Sequence, residues 1–369
     1  MIKFMSKRVI ISGGGTGGHI YPAIAIANAL KEIEPGIEIL FVGALGKMEM
    51  EKVPRAGYEI VGLPIVGIKR EISMDNLAFP FKLTNSLWKA RSVIKDFRPD
   101  VAVGVGGFAS GPLLMIASLL GIPTLIQEQN SYAGITNKLL AKRASKICVA
   151  YPGMEAFFPK EKLRLFGNPV RSDIVDVTSK RQEALSYFGF QEDKKTLCVM
   201  GGSLGAKSIN ESLNAGIANL VDAGYQVLWQ TGKGFISTAQ TTVSGLKSSS
   251  AKAFEFIYEM DLAYAVADVV VSRAGALSVS ELCLAIKPSI LVPFPFASED
   301  HQTKNAMNLV QQDAAIFIKD SNAAEELIPA ALNLLEDQKR QDILKLNIQK
   351  LAKPTAAYDI AAEVLKLVK

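Results

Sequence analysis

Short runs of β-branched and other apolar residues alternate along the whole chain with longer Ala/Leu-rich stretches of helical spacing. In the first half RVIIS (8–12), IEILFVG (37–43), VAVGVGG (101–107), PTLIQEQ (123–129) and KICVA (146–150) read as strands. Their counterparts in the second half are TLCVMGG (196–202), YQVLWQTG (225–232), FEFIY (254–258), DVVVSRAG (268–275) and PSILVPF (288–294). Helical spacing marks residues 22–32, 110–120, 134–143, 207–221 and 276–286. Strands alternating with helices predict an α/β fold of βαβ units, with parallel sheets covered by helices on both faces.

The pattern echoes itself once. RVIISGGGTGGHIYPAIAIANAL (8–30) and TLCVMGGSLGAKSINESLNAGIANL (196–220) are each a strand, a glycine-rich turn and a helix. A length of 369 residues also exceeds what one core usually supports. Two Rossmann-like domains are therefore expected, spanning 1–171 and 172–354. The boundary lies near LFGNPVRSDI, where Gly167, Asn168 and Pro169 favour a turn. The final helical stretch, about 355–369, follows Pro354 and is expected to return to the first domain.

Composition narrows the class. Hydrophobic residues make up 49% and charged residues 21%, as in a packed globular protein rather than a disordered one. Cys148, Cys198 and Cys283 are far apart and form no C-x-x-C pair, which suits reduced core residues of a cytosolic protein. No signal peptide is expected from MIKFMSKRVIISGG. The longest apolar stretch, GPLLMIASLLGIPTLI, is interrupted by Gly121 and Pro123 and is too short to span a bilayer, so the chain is expected to be soluble. Charge is uneven: residues 1–171 carry 22 Lys and Arg against 13 Asp and Glu, while the remainder carries 19 against 23. A basic first half suits an anionic partner: nucleic acid, an anionic membrane surface or a phosphorylated substrate. Uneven surface charge with no partner is the plain alternative.

A glycine turn between strand and helix lets backbone N–H groups approach an anion, and the helix N-terminus adds partial positive charge. Pro22 suits the first turn of the helix that follows 13–18, where a missing N–H costs nothing. Gly13, Gly15 and Gly18 satisfy G-x-G-x-x-G, but IEILFVGALGK ends without the acidic residue that would hold an adenosine ribose. An NAD-dependent dehydrogenase is thereby disfavoured, and no G-x-x-x-x-G-K-[ST] is present. The glycines serve either a phosphate or tight strand–helix packing, at 13–18 and again in GGSLGA (201–206). VGVGGFASGP (103–112), QEQNSYAGITNK (127–138) and SRAGALSVSELC (272–283) also lie at strand-to-loop junctions, the ligand-binding edge of open α/β sheets. Ser278 and Glu281 fit S-x-x-E, so Glu281 reads either as part of a capping box or as a carboxylate for two ribose hydroxyls.

Taken in order, GGTGGH (14–19), GVGGFASGP (104–112), EQN (128–130), GNPVR (167–171), GGSLGA (201–206), RAGALSVSE (273–281) and DHQTKNA (300–306) resemble the MurG family. These peptidoglycan glycosyltransferases add N-acetylglucosamine to undecaprenyl-diphospho-muramoyl-pentapeptide. The resemblance covers about residues 8–310, with one departure: Gln127 stands where many members have histidine. It implies the GT-B fold, two Rossmann-like domains facing a cleft, the first binding acceptor and membrane and the second UDP-N-acetylglucosamine. Carried over by motif, Ser203 and its turn meet the diphosphate, and Ile257 borders the uracil. Ala276, Leu277, Ser278, Val279, Ser280 and Glu281 wrap the nucleotide, with Glu281 on the ribose. Gln302 reaches the sugar, while Asn130, Arg171 and Thr16, Gly17 and Gly18 close over the donor.

The implied chemistry is inversion at the anomeric carbon, which needs a base at the attacking hydroxyl and stabilisation of the leaving diphosphate. His19 leads as base because imidazole titrates near neutrality, with substrate contact or a purely structural role as alternatives. Glu128 is the rival base, or else a structural acceptor beside Asn130, and His301 is expected to shape the donor loop. No D-x-D occurs; no metal, no cofactor and no nucleic-acid partner are expected. The segment 68–98 interleaves seven basic residues with Leu77, Phe79, Phe81, Leu83, Leu87 and Trp88. It reads as a surface for anionic lipid at the cytoplasmic face of the membrane, or as an ordinary amphipathic helix. The rival functions are a UDP-N-acetylglucosamine epimerase and a non-catalytic nucleotide-sugar-binding subunit.

Overall fold

The computed structural model describes residues 6–65, 79–202 and 204–368. The chain forms two compact units, Met1–Arg171 with Pro354–Lys369, and Ser172–Lys353.

The first unit runs β1 (Arg8–Gly13), α1 (Gly17–Ile33), β2 (Glu38–Ala44), α2 (Glu49–Arg55), β3 (Glu59–Leu63), α3 (Phe79–Phe97), β4 (Val101–Gly106), α4 (Ser110–Leu119), β5 (Thr124–Glu128), α5 (Ile135–Leu140), β6 (Lys146–Val149) and β7 (Leu163–Leu165). Its strands form one parallel sheet in the order β3-β2-β1-β4-β5-β6-β7. Alternation within β1 explains the two layers of helices. Val9 and Ile11 join Ile26 and Leu30 of α1 on one face, whereas Ile10 joins Ala90, Ile94 and Leu113 of α3 and α4 on the other. The C-terminal helix Ala356–Leu365 sets Ile360, Ala361 and Val364 into the α1 side of that core.

The second unit runs α6 (Arg181–Phe188), β8 (Thr196–Met200), α7 (Lys207–Asp222), β9 (Gln226–Gln230), α8 (Ile236–Gly245), β10 (Ala251–Phe254), α9 (Met260–Val266), β11 (Val269–Ser272), α10 (Ala276–Leu284), β12 (Ser289–Leu291), α11 (His301–Val310), β13 (Ile316–Phe317), α12 (Ala323–Glu336) and α13 (Gln338–Gln349). Its parallel sheet has the order β10-β9-β8-β11-β12-β13, with Trp229 fully buried in the core. The three cysteines are buried, and desolvation pushes the thiols of Cys198 and Cys283 up to about 12, so they are inert packing groups.

Several local expectations need correction. FEFIY is not a strand: β10 ends at Phe254, and the Ile257 N–H turns to the Gln230 side chain at 2.9 Å. Helix α1 begins at Gly17, so Pro22 lies in its second turn and not its first. The carbonyl of Gly18, which would have met an N–H at position 22, belongs to an exposed residue that water can satisfy. Helix α5 stops at Leu140, short of the residue 143 that helical spacing suggests. The capping box does not form. Gly275, extended at φ −63°, is the N-cap of α10, which puts Ser278 inside the helix.

Both sheets reverse strand order beside their first strand, β1 against β4 and β8 against β11. Such reversal opens a crevice at the carboxyl ends of the strands. The turns at 13–18 and 106–110 flank the first crevice, and those at 201–206 and 273–275 flank the second.

Candidate active site

At the first crevice the backbone of one glycine turn lies directly on the other. The Gly14 N–H donates to the Gly106 carbonyl at 3.3 Å. Gly107 has φ +89°, and a Cβ there would come within 2.4 Å of the Gly14 carbonyl oxygen. Gly106, at φ +104°, faces the His19 ring, and a Cβ there would fall 2.5 Å from its Cδ2. Glycine at these positions makes room for backbone and imidazole.

His19 is half-buried in the first turn of α1, behind the exposed Thr16 and Gly18. Its Nδ1 lies 3.0 Å from the Gly14 carbonyl oxygen and 3.5 Å from Thr16 Oγ1. A carbonyl only accepts, so Nδ1 carries the hydrogen and the neutral ring has its lone pair on Nε2. One N–H of the first glycine turn is already engaged. Gly15 donates to Glu49 Oε2 at 2.9 Å, so a carboxylate of the chain sits against the turn at that point.

Glu128 is buried, and its carboxylate accepts from the Asn130 N–H at 3.1 Å, Asn130 Nδ2 at 3.4 Å, the Gly134 N–H at 2.9 Å and Asn137 Nδ2 at 2.8 Å. Four donors fill the lone-pair directions of a carboxylate. This geometry makes Glu128 the organiser of the 129–137 loop, with Asn130 at its front. Gln127 also faces inward: its Nε2 donates to Asn168 Oδ1 at 3.2 Å, and Asn168 Nδ2 donates to the Gln129 carbonyl at 3.0 Å. Arg171 is half-buried at the end of the first unit.

In the second unit Gly202 and Gly205 take φ +81° and +78°, turning the chain between β8 and α7. Ser203 lies outside the described residues. No side chain caps the N-terminus of α7, and its first turn holds no acidic residue. The N-cap of α10, Gly275, makes no side-chain cap, and Ala276, Leu277 and Ser278 form the first turn of the helix. Val279 is buried in the core, and Ser280 Oγ donates back to the Ala276 carbonyl at 3.0 Å. Glu281 Oε2 accepts from the buried Tyr264 hydroxyl at 2.9 Å. The Ile257 side chain is buried. Gln302 accepts the Phe294 N–H through Oε1 at 2.9 Å, which ties α11 to the 292–296 loop. It follows His301 directly, and the preceding Glu299 and Asp300 both have positive φ.

Reading the motifs alone passes over two groups. Arg273 bonds Asp320, the Ser208 hydroxyl at 3.2 Å and the carbonyls of Val292 and Pro293 at 3.1 and 3.2 Å. It thereby joins the starts of α7 and α12 to the loop before α11. Its presence inside RAGALSVSE was the available signal. Glu49 had none, being one charge among several in GKMEMEK.

Comparison with known proteins gives this geometry its context. Residues 9–149 match the glycosyltransferase family 28 N-terminal domain, and residues 196–364 match the glycosyltransferase family 28 C-terminal domain. A protein of Parabacteroides distasonis named UDP-N-acetylglucosamine--N-acetylmuramyl-(pentapeptide) pyrophosphoryl-undecaprenol N-acetylglucosamine transferase is 53% identical over 98% of both chains. The crystal structure of Acinetobacter baumannii MurG superposes with a TM-score of 0.78 at 28% identity, covering 98% of this chain and 99% of that one. The chain belongs to the MurG family of family 28 glycosyltransferases. Its two α/β units are those of the GT-B fold. The Neisseria meningitidis UDP-GlcNAc 2-epimerase, at 15% identity and a TM-score of 0.68 over 98% of this chain and all of that one, shares only the fold with this MurG-family chain.

Proposed function

We propose that the chain is an inverting glycosyltransferase moving N-acetylglucosamine from UDP-N-acetylglucosamine to the 4-hydroxyl of the muramoyl unit of undecaprenyl-diphospho-muramoyl-pentapeptide. What carries this reading is 53% identity to the P. distasonis transferase over an alignment that spans 98% of the chain and so includes both units. The site chemistry agrees with it. His19 Nε2 takes the proton of the 4-hydroxyl while that oxygen bonds the anomeric carbon and UDP departs with the electrons of the broken C–O bond. The turn at 201–206 and the N-terminal N–H groups of α7 and α10 receive the charge that develops on the diphosphate. Glu281, held by Tyr264, accepts from the ribose hydroxyls, and Gln302 meets the sugar through the amide end that Phe294 does not use. Asn130, on the loop that Glu128 organises, and Arg171 contact the substrates from the first unit. Labelled UDP-N-acetylglucosamine separates the rivals: UDP release that requires a muramoyl-diphospholipid acceptor supports the transferase. Epimer formed without acceptor, or no turnover, defeats it.

The acceptor is a lipid, and no helix among the described residues is long and apolar enough to cross a membrane. Residues 68–78 of the basic aromatic segment lie outside the described residues, but α3 supplies the rest. Ser86, Ala90 and Ile94 are buried on one side of α3, while Phe81 and Trp88, two turns apart, are 80% and 76% exposed on another. Exposed Arg91 and Lys95 continue along it. We infer peripheral attachment to an anionic cytoplasmic membrane face through this stripe. Phe81→Ser with Trp88→Ser is expected to weaken co-sedimentation with anionic vesicles about tenfold or more, each ring accounting for roughly 1.5–3 kcal/mol when fully buried. Binding unchanged by the substitutions and by salt would remove the stripe from the account.

A further inference from the structure

We propose that Glu49 is a positioning residue for His19, acting through the single peptide group between Gly14 and Gly15. Glu49 is a carboxylate at 1% exposure, and among the described residues no cation pairs with it. Burying an ionised carboxylate is costly unless it is fully bonded. Its bonds are to backbone: Oε1 accepts the Ala44 N–H at 3.0 Å and Oε2 accepts the Gly15 N–H at 2.9 Å. Space for it has been made at two glycines. A Cβ on Gly14 would lie 2.2 Å from Oε1, and one on Gly43 would lie 2.6 Å from Cγ. Glu49 thus joins the end of β2 to the turn after β1.

The consequence follows from peptide geometry. The Gly15 N–H and the Gly14 C=O belong to one planar trans unit, so they point in opposite directions. Fixing the N–H on Glu49 fixes the carbonyl on the other side, and that carbonyl is the one His19 Nδ1 contacts at 3.0 Å. The chain of contacts runs from carboxylate to N–H, through the amide to its carbonyl, and on to the imidazole Nδ1–H. An N–H that donates to an anion also makes its own carbonyl a stronger acceptor, since bonds in a series polarise one another. Nδ1–H is held, Nε2 keeps the lone pair, and the ring stays turned over Gly106. The positive charge the ring acquires on taking a proton is balanced through the same peptide. The arrangement does for His19 what a directly bonded carboxylate does for a catalytic histidine elsewhere, with one amide interposed.

The proposal rests on the reading of His19 as the base, and its test separates the two. The chain has only two histidines, His19 and His301, so the imidazole nitrogens of histidine-¹⁵N-labelled protein give two sets of signals, assigned with His301→Ala. In the native protein neutral His19 is expected as the Nδ1–H tautomer, the less favoured form in water. Finding Nε2–H there overturns the proposal without any variant at 49. Glu49→Gln, of equal size but bearing an NH₂ that cannot accept, is expected to shift His19 toward the Nε2–H form. It should lower kcat at least tenfold while leaving the UDP-N-acetylglucosamine KM within twofold. Added to His19→Ala, it should cost nothing more, because its effect passes through the missing ring. An unchanged tautomer in Glu49→Gln, or losses that multiply in the double variant, would overturn it. Full turnover in His19→Ala would instead defeat the base assignment, leaving the tautomer measurement to judge Glu49.

Discussion

Replacing His19 by alanine is expected to lower kcat about a hundred- to ten-thousandfold at saturating substrates, the range for losing a general base. That is roughly 3–5 kcal/mol of transition-state stabilisation. The expectation comes from the ring's setting. Nδ1 is committed to the Gly14 carbonyl and the ring lies against Gly106, so Nε2 is the nitrogen with a lone pair to offer. Stability should change little, because the ring is only half-buried and fills no core space. Glu128→Gln makes the contrast. A neutral amide cannot accept all four bonds now made to Glu128, so a melting temperature lowered together with activity is expected. If His19→Ala retains turnover within a few-fold of wild type, another group takes the proton.

Gly205→Ala is expected to give the largest loss on the donor side. At φ +78° any L residue is strained, and the added Cβ would sit 2.2 Å from the Thr231 carbonyl oxygen, which is rigid backbone. The next residue, Gly232, is as close: a Cβ there would meet the Gly205 nitrogen at 2.4 Å. The turn therefore has to move, and the N–H groups ahead of α7 move with it. Roughly 3 kcal/mol of destabilisation is expected, a fall of about 6–12 °C in melting temperature for a unit of this size. The KM for UDP-N-acetylglucosamine should rise tenfold or more. Gly224→Ala is the matched control: φ is +89°, but nothing lies within 4 Å of its Cβ. It should cost only about 1 kcal/mol and leave kinetics unaltered. Equal kinetics in the two variants would show that this turn does not hold the diphosphate.

How much of the site was legible in the sequence depended on how local its chemistry is. Glycine turns announce themselves because φ above zero and close backbone approach exclude other residues, and the turn at 201–206 has both. The S-x-x-E pattern at 278–281 misled because it has two physical meanings, and the start of α10 at Ala276 rejects the capping one. Pro22 misled similarly: α1 already starts at Gly17, where the His19 and Ile20 N–H groups bond the Thr16 carbonyl, so the proline falls one turn later than its preference suggests. FEFIY looks like a strand because it is a short run of apolar and aromatic residues, yet only Ile257 of it is buried, Tyr258 is exposed, and its last residues leave the sheet toward Gln230. Hydrophobic character in a short run fixes neither burial nor strand pairing residue by residue.

The alternation of apolar runs and helical stretches determined the class of this protein, parallel α/β with two glycine-turn units, because strand and helix periods are written in consecutive residues. The motif series from residue 14 to residue 306 determined its family. Tertiary structure alone decided what the polar groups do. Glu49 is separated from Gly15 by 34 positions that include helix α1 and strand β2, and Arg273 from Asp320 by 47. Nothing in either neighbourhood announces the partner. Hydrogen bonds to buried charge depend on distance and direction in space, and strand order sets both: β2 beside β1 brings a carboxylate under the first glycine turn. One N–H of a turn that reads as a place for a bound anion is thereby taken from within, by the protein's own carboxylate.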